Sequence, residues 1–178
     1  MTRERLSQGL IQVYTGDGKG KTTCALGLAF RAVGHGFKVI MLQFMKGRET
    51  GESRAAMRLP PELTLRFFGR PGLVNLRSPA PDDVARVREA WEAACQALAA
   101  GEHDLVILDE INLALAHGLI PLEEALAVLR RRPSWVEVVL TGRRAPQELL
   151  DLADLVTEMV PLKHYYQAGV RARRGIEW

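Results

Sequence analysis

A chain of 178 residues with 47% apolar and 25% charged side chains has the length of one ordinary domain and the material for a sizeable core. That balance excludes a disordered chain, and a net charge of +3 suits a small anionic ligand as well as nucleic acid. No apolar run reaches the length of a membrane span, the opening "MTRERLSQ" is too short and polar for a signal peptide, and Cys24 and Cys95 form neither a disulfide framework nor a metal motif. A cytoplasmic protein with buried, reduced thiols is the expectation.

Strand and helix patterns alternate along the chain, which predicts an α/β fold, and the glycine-rich "TGDGKGKT" between a strand and a helix makes it one of the P-loop NTPase type. It has a mostly parallel sheet of about six strands with helices on both faces. All 178 residues fall in one domain, with residues 1–8 as a short extension and residues 161–178 as a basic, irregular tail. "GLIQVYT" (9–15) reads as the first strand, and "KTTCALGLAFRAVG" (21–34) as a helix apolar on most faces and therefore well buried. "FKVIMLQFM" (37–45) is a near-continuous apolar run that suits a strand covered on both sides. "KGRETGESRAAMRLPP" (46–61) reads as irregular, "LTLRFFG" (63–69) as a strand, and "RPGLVNLRSPAP" (70–81) as a loop. Pro81 and Asp82 open a long helix to about residue 100, with Gly101 as its stop. "DLVILDE" (104–110) is a buried strand ending in two acids. A helix from Pro121 to about residue 131, the strand "WVEVVLTG" (135–142), a short helix over 146–152 and a last strand over 153–160 follow.

Three features on the expected carboxyl edge of the sheet carry chemistry. "TGDGKGKT" (15–22) lies between a strand and a helix and ends in Gly-Lys-Thr, as a phosphate-binding loop does, but it starts on Thr15 where the general pattern has glycine. Backbone N–H groups of Gly16 to Thr22, at a helix N-terminus, can converge on phosphate oxygens. Lys21 supplies a charge to the phosphates and the Thr22 hydroxyl a ligand for Mg²⁺; Lys19 faces either solvent or phosphate. "VILDE" places Asp109 and Glu110 beside that loop, where one of them can hold Mg²⁺ directly or through water. "LTGR" places Arg143 on the same edge, as a clamp for a triphosphate or as a plain surface arginine. The tail, with "HYY" and Arg171, Arg173 and Arg174, is open to three readings: a solvated basic end, a nucleic-acid contact, or a flap over a ligand.

These stretches resemble the P-loop family of ATP:corrinoid adenosyltransferases, which act on cob(I)yrinic acid a,c-diamide or cob(I)alamin. The resemblance runs through "YTGDGKGKTTCALGLAFRAVGHG", "VIMLQFMKG", "VILDEINLALAHGLIPLEE", "VVLTGRRAPQELLDLADLVTEM" and "KHYYQAGVRARRGIEW". Threonine at the first loop position is itself a feature of that family. The resemblance implies transfer of the 5′-deoxyadenosyl group of ATP to a Co(I) corrinoid with release of triphosphate. It further implies Mg²⁺ or Mn²⁺, a flavoprotein reductant, a homodimer, and no nucleic-acid or membrane partner. It carries nucleotide binding to Gly16, Asp17, Gly18, Lys19, Gly20, Lys21, Thr22 and Thr23, catalysis to Lys21 and Glu110, the metal to Thr22, Glu110 and Asp109, and the triphosphate contact to Arg143. Some members present a Phe and Trp pair to the corrinoid after the third strand. Here "FFGRPGLVN" lacks the Trp, and Phe68 and Leu73 are expected to supply an apolar face instead. A P-loop kinase or ATPase, releasing ADP and phosphate, is the alternative; so is a nucleotide-binding module that engages nucleic acid.

Overall fold

The computed structural model describes residues 5–47, 49–59, 62–72 and 74–177. The expectation for Leu73 therefore lies outside the described residues. Six strands are present among those described: β1 (Ile11–Thr15), β2 (Val39–Phe44), β3 (Leu63–Phe68), β4 (Leu105–Asp109), β5 (Glu137–Thr141) and β6 (Leu155–Glu158). They form one sheet in the order β3-β2-β4-β5-β1-β6, every pairing parallel, so all carboxyl ends meet at one edge.

The four inner strands, β1, β2, β4 and β5, are buried because both faces of the sheet are covered there, and the two-residue period sorts their side chains into two cores. On one face Ile11, Val13, Ile40, Leu42, Val106, Leu108, Val138 and Leu140 pack under α3 (Pro81–Ala100), α4 (Ile111–Ala116), α5 (Leu122–Arg131) and α6 (Gln147–Leu152). On the other face Val39, Met41, Leu105, Ile107 and Val139 meet α1 (Lys21–Gly34) and α2 (Gly51–Ala56). Register carries this across the sheet: Met41 pairs with Leu65 and Ile107, and Ile107 with Val139.

The helices end where their sequence says they should. Pro81 sits in the first turn of α3 with Asp82 and Asp83, and Gly101 closes it in the left-handed conformation at φ 58°. Val87, Ala90, Trp91, Ala94, Ala97 and Leu98 form its buried stripe. α1 departs from expectation. Only Lys21, Ala25, Ala29 and Ala32 are buried, and Phe30 is 72% exposed, so one stripe of small residues meets the sheet. Cys24 lies off that stripe and is exposed, and Cys95 is half-buried, which corrects the expectation of buried thiols. Two short helices were not anticipated, α2 and α4. β6 is an edge strand with all four residues exposed. Among the described residues no helix is long and apolar enough to cross a membrane.

Candidate active site

The carboxyl edge opens into a cleft of about 700 Å³. Its floor is the loop from Gly16 to Gly20 between β1 and α1. Gly16 stands at φ 87°, and a Cβ there would lie 2.5 Å from the Met159 carbonyl oxygen. The Gly18 N–H donates to that same oxygen at 2.7 Å, so the chain beyond β6 braces the loop from outside. Thr15 is the last residue of β1, in extended conformation, and needs no glycine. Its hydroxyl accepts from the Ala145 N–H at 3.3 Å and ties the root of the loop to the chain after β5. Gly20 caps α1 at φ 126° without a side-chain bond, and no acid occupies the first turn. The first-turn N–H groups lack intrahelical partners, and with the helix dipole they favour an anion.

Lys21 is 8% exposed and curls inside the loop, its Nζ donating to the carbonyls of Gly16 and Gly18, each at 2.7 Å. Burial lowers its pKa, and the charge of Glu110 works against that. Thr22 donates to Asp109 Oδ1 at 2.8 Å, which joins the loop to the end of β4 across β5.

Asp109 is fully buried and accepts four donors. Oδ1 takes the hydroxyls of Thr22 (2.8 Å) and Thr141 (2.7 Å); Oδ2 takes Gln43 Nε2 (3.0 Å) and Lys46 Nζ (2.8 Å). Burial alone would raise its pKa, but the Lys46 ammonium and the hydroxyl bonds hold the carboxyl below its ordinary value. Those four donors fill the lone-pair sites of a carboxylate. Glu110 differs. It adopts the left-handed conformation at φ 67°, its N–H donates to Thr141 Oγ1 at 3.0 Å, and its side chain lines the cleft. Burial first, then the charge of Asp109, raises its pKa.

Arg143 also lines the cleft and lies 3.5 Å from the Asp17 carboxylate, with its side chain 56% exposed. An exposed pair of this kind contributes little stability, so the guanidinium is available to another anion. It follows Gly142, whose φ of 132° leaves room for Asn112, 3.0 Å from where a Cβ would be. Buried Asn112 donates through Nδ2 to the carbonyls of Gly142 (3.0 Å) and Tyr14 (3.3 Å), fixing the roots of both functional loops.

The structure thus brings together Asp17, Gly18, Lys19, Gly20, Lys21, Thr22, Thr23, Glu110 and Arg143 along one cleft, with Gly16 and Asp109 directly behind them. Phe68 is not among them. It is 5% exposed and packed in the core beside α3, since it ends β3 on the inward register. Apolar lining comes instead from Leu26, Phe44, Met45, Val74, Leu76, Leu113 and Ile176. Sequence reading missed Lys46, Gln43, Thr141 and Asn112 as site residues. Lys46 had a visible signal, a lysine just past a strand on the carboxyl edge. The other three gain their roles only from tertiary contact. The tail also reaches the cleft, with His164, Tyr165, Ile176 and Glu177 lining it.

A parallel α/β sheet with a glycine loop at a helix N-terminus, an invading lysine and a hydroxyl joined to a strand-end acid defines a P-loop nucleotide-binding protein. The solved structure of the flagellar accessory protein FlaH from Methanocaldococcus jannaschii shares this fold. It superposes with a TM-score of 0.60 at 13% identity, over 89% of this chain and 77% of that one. The family model described as ATP:corrinoid adenosyltransferase BtuR/CobO/CobP matches residues 7–178. A corrinoid adenosyltransferase of Pseudomonas aeruginosa is 40% identical over 100% of this chain and 88% of its own length. The corrinoid adenosyltransferase CobA of Salmonella typhimurium is 40% identical over 96% and 86%. The chain belongs to the ATP:corrinoid adenosyltransferase family.

Proposed function

We propose that this cleft transfers the 5′-deoxyadenosyl group of ATP to the cobalt of a Co(I) corrinoid, in the formation or salvage of adenosylated corrinoids. The Co(I) electron pair attacks C5′, the C5′–O bond breaks, and triphosphate leaves with that bond's electrons. The observation that carries this reading is family membership over nearly the whole chain together with a cleft whose cations converge on a phosphate loop.

Co(I) is a strong nucleophile, so the protein need not supply a base; its task is to hold both substrates and to meet the charge that develops on the leaving group. The N–H groups of the loop other than that of Gly18, which the Met159 carbonyl takes, those of the first turn, Lys21 and Arg143 are the donors suited to this. The donor set also fits a hard divalent cation, Mg²⁺ or Mn²⁺, which takes oxygen ligands and keeps phosphates and waters in its shell. Thr22 and Glu110 would hold it, with Asp109 acting through the Thr22 hydroxyl because its own lone pairs are filled. When bound, the cation neutralises phosphate charge. The choice between cobalamin and an a,c-diamide precursor, the flavoprotein reductant, the homodimer and the cytoplasmic setting are proposed from the family resemblance. Among the apolar side chains that line the cleft, Val74 and Leu76 stand after the third strand, where the family resemblance puts the corrin face.

The test is anaerobic incubation with ATP, Mg²⁺ and chemically reduced corrinoid, following the spectrum of the cobalt–carbon bond. The parent enzyme should form it, and Lys21→Ala should lose at least about a hundredfold in rate, the scale of removing one donor to a developing anion. Near-parental rates in Lys21→Ala would rule out the cradle.

A further inference from the structure

Lys19 sits in the middle of the phosphate loop, yet its side chain points to the tail. Its Nζ donates to Tyr165 OH at 2.7 Å, to Glu177 Oε1 at 2.7 Å and to the Ile176 carbonyl at 3.2 Å. An ammonium has three N–H donors and no more, and here each has a tail acceptor. The acceptors are themselves held together. Tyr165 OH donates to Glu177, and Arg173 binds Glu177 through its guanidinium at 3.2 Å and its backbone N–H at 2.6 Å. The Tyr165 ring is flanked by two cations, Lys19 Nζ at 5.5 Å and Arg173 Cζ at 5.0 Å from its centroid. The Glu177 side chain is only 17% exposed as a result.

We propose that Lys19 is a positioning residue and not a phosphate ligand: it fastens residues 164–177 over the phosphate loop, so that Tyr165 and Ile176 form the wall of the cleft facing the second substrate. Two lysines separated by one glycine thus divide the labour. Lys21 turns inward to the loop carbonyls, and Lys19 turns outward to the tail. The tail contributes few buried apolar residues of its own, since residues 165–177 are almost all exposed or half-exposed. A polar clasp is therefore what holds it in place. That the second substrate is a corrinoid rests on the proposed function; the fastening itself does not.

The test uses the full chain and three variants, Lys19→Met, Tyr165→Phe and Glu177→Ala, with two readouts independent of corrinoid chemistry. One is amide hydrogen exchange over residues 164–177, and the other is the dissociation constant for ATP by calorimetry. Lys19→Met is expected to speed exchange in the tail while ATP affinity stays within about fivefold, the span of a lost exposed ion pair. Should ATP affinity fall further, Glu177→Ala must reproduce the loss, because the effect then passes through the tail. A loss of ATP affinity in Lys19→Met that Glu177→Ala does not share would make Lys19 a phosphate ligand and overturn the proposal. Unchanged tail exchange in Lys19→Met would overturn it equally. In turnover, Lys19→Met and Tyr165→Phe should raise KM for the reduced corrinoid and leave kcat at saturation within about twofold, as expected for lost uniform binding. An unchanged KM alongside a loosened tail would reject the tail as a substrate wall.

Discussion

Replacing Asp109 by Asn keeps the shape of the side chain and removes its charge, and the structure allows the cost to be worked out. An asparagine amide can keep Gln43 Nε2 and Lys46 Nζ on its oxygen and turn its NH2 toward the hydroxyls of Thr22 and Thr141. The Thr22 hydroxyl can rotate to accept. Thr141 could do so only with its second lone pair, the first already accepting the Glu110 N–H, and its own buried hydrogen would lose the carboxylate. A bond to a charged group contributes about 1.5–3 kcal/mol and a neutral one about 0.5–1.5 kcal/mol. Breaking a fully buried ion pair costs about 3–5 kcal/mol, but the Lys46 side chain is 28% exposed and can reach water. The expected loss is about 2–3 kcal/mol, or a fall in Tm of about 4–12 °C for a chain of this size. Asp109→Ala should cost more, since Gln43 and Thr141 are 1% and 0% exposed and would be left without an acceptor. Urea unfolding with a check of the m-value measures both, and the double cycle with Lys46→Met should return a coupling of at least about 1 kcal/mol. Asp109→Asn within about 0.5 kcal/mol of the parent would show that the carboxylate is not the hub of the site.

Gly16→Ala places a Cβ against the Met159 carbonyl at a left-handed φ, so the loop must move; ATP affinity should fall at least about tenfold, and calorimetry would detect its retention. Leu129→Ala removes a fully buried side chain of α5 far from the loop; it should cost about 2–5 kcal/mol in denaturant while ATP affinity is kept. The clasp of the tail should depend on pH in a defined way. Bonds from Arg173 and Lys19 depress the pKa of Glu177, so its contribution is full above the ordinary carboxylate value of about 4.3 and is lost as pH falls through the depressed one. The pKa of Lys19 is raised by Glu177 and Tyr165, so its share is full below about 10.4 and is lost as pH rises above that. The part of the exchange protection of residues 164–177 that Lys19→Met removes, corrected for intrinsic rates, should be flat between these limits; His164, whose Nδ1 accepts the Tyr166 N–H, is common to parent and variant. A step near neutral pH in that difference would contradict this pairing.

Most of the fold could be read from the chain because its elements are punctuated. Gly20 and Gly34 bound α1, Pro81 and Gly101 bound α3, and continuous apolar runs mark β2 and β4 as strands covered on both faces. α2 escaped because it has six residues in a polar stretch and its capping box pairs Thr50 with Ser53, where a Glu or Gln would have been the recognisable signal. α4 escaped because "INLALA" is apolar apart from Asn112 and follows a strand directly, with only the left-handed Glu110 to separate them. The site was legible where residues adjacent in sequence act together, as in the loop and in Asp109-Glu110. It was not legible where 63 residues separate Lys46 from Asp109, or 158 separate Lys19 from Glu177. Phe68 was misplaced for a related reason: alternation in β3 sets Phe67 and Phe68 on opposite faces but does not say which of them is buried; Phe68 packs in the core and Phe67 is 43% exposed.

In the reaction proposed from family membership, triphosphate is the group that leaves, with the bond broken at C5′ and no phosphoryl group transferred. The direct measurement is phosphorus NMR of the products when the enzyme turns over ATP and Mg²⁺ with chemically reduced corrinoid. One intact triphosphate should appear for each cobalt–carbon bond formed. ADP and phosphate, with no cobalt–carbon bond, would make the chain a phosphoryl-transfer enzyme and contradict the proposed reaction.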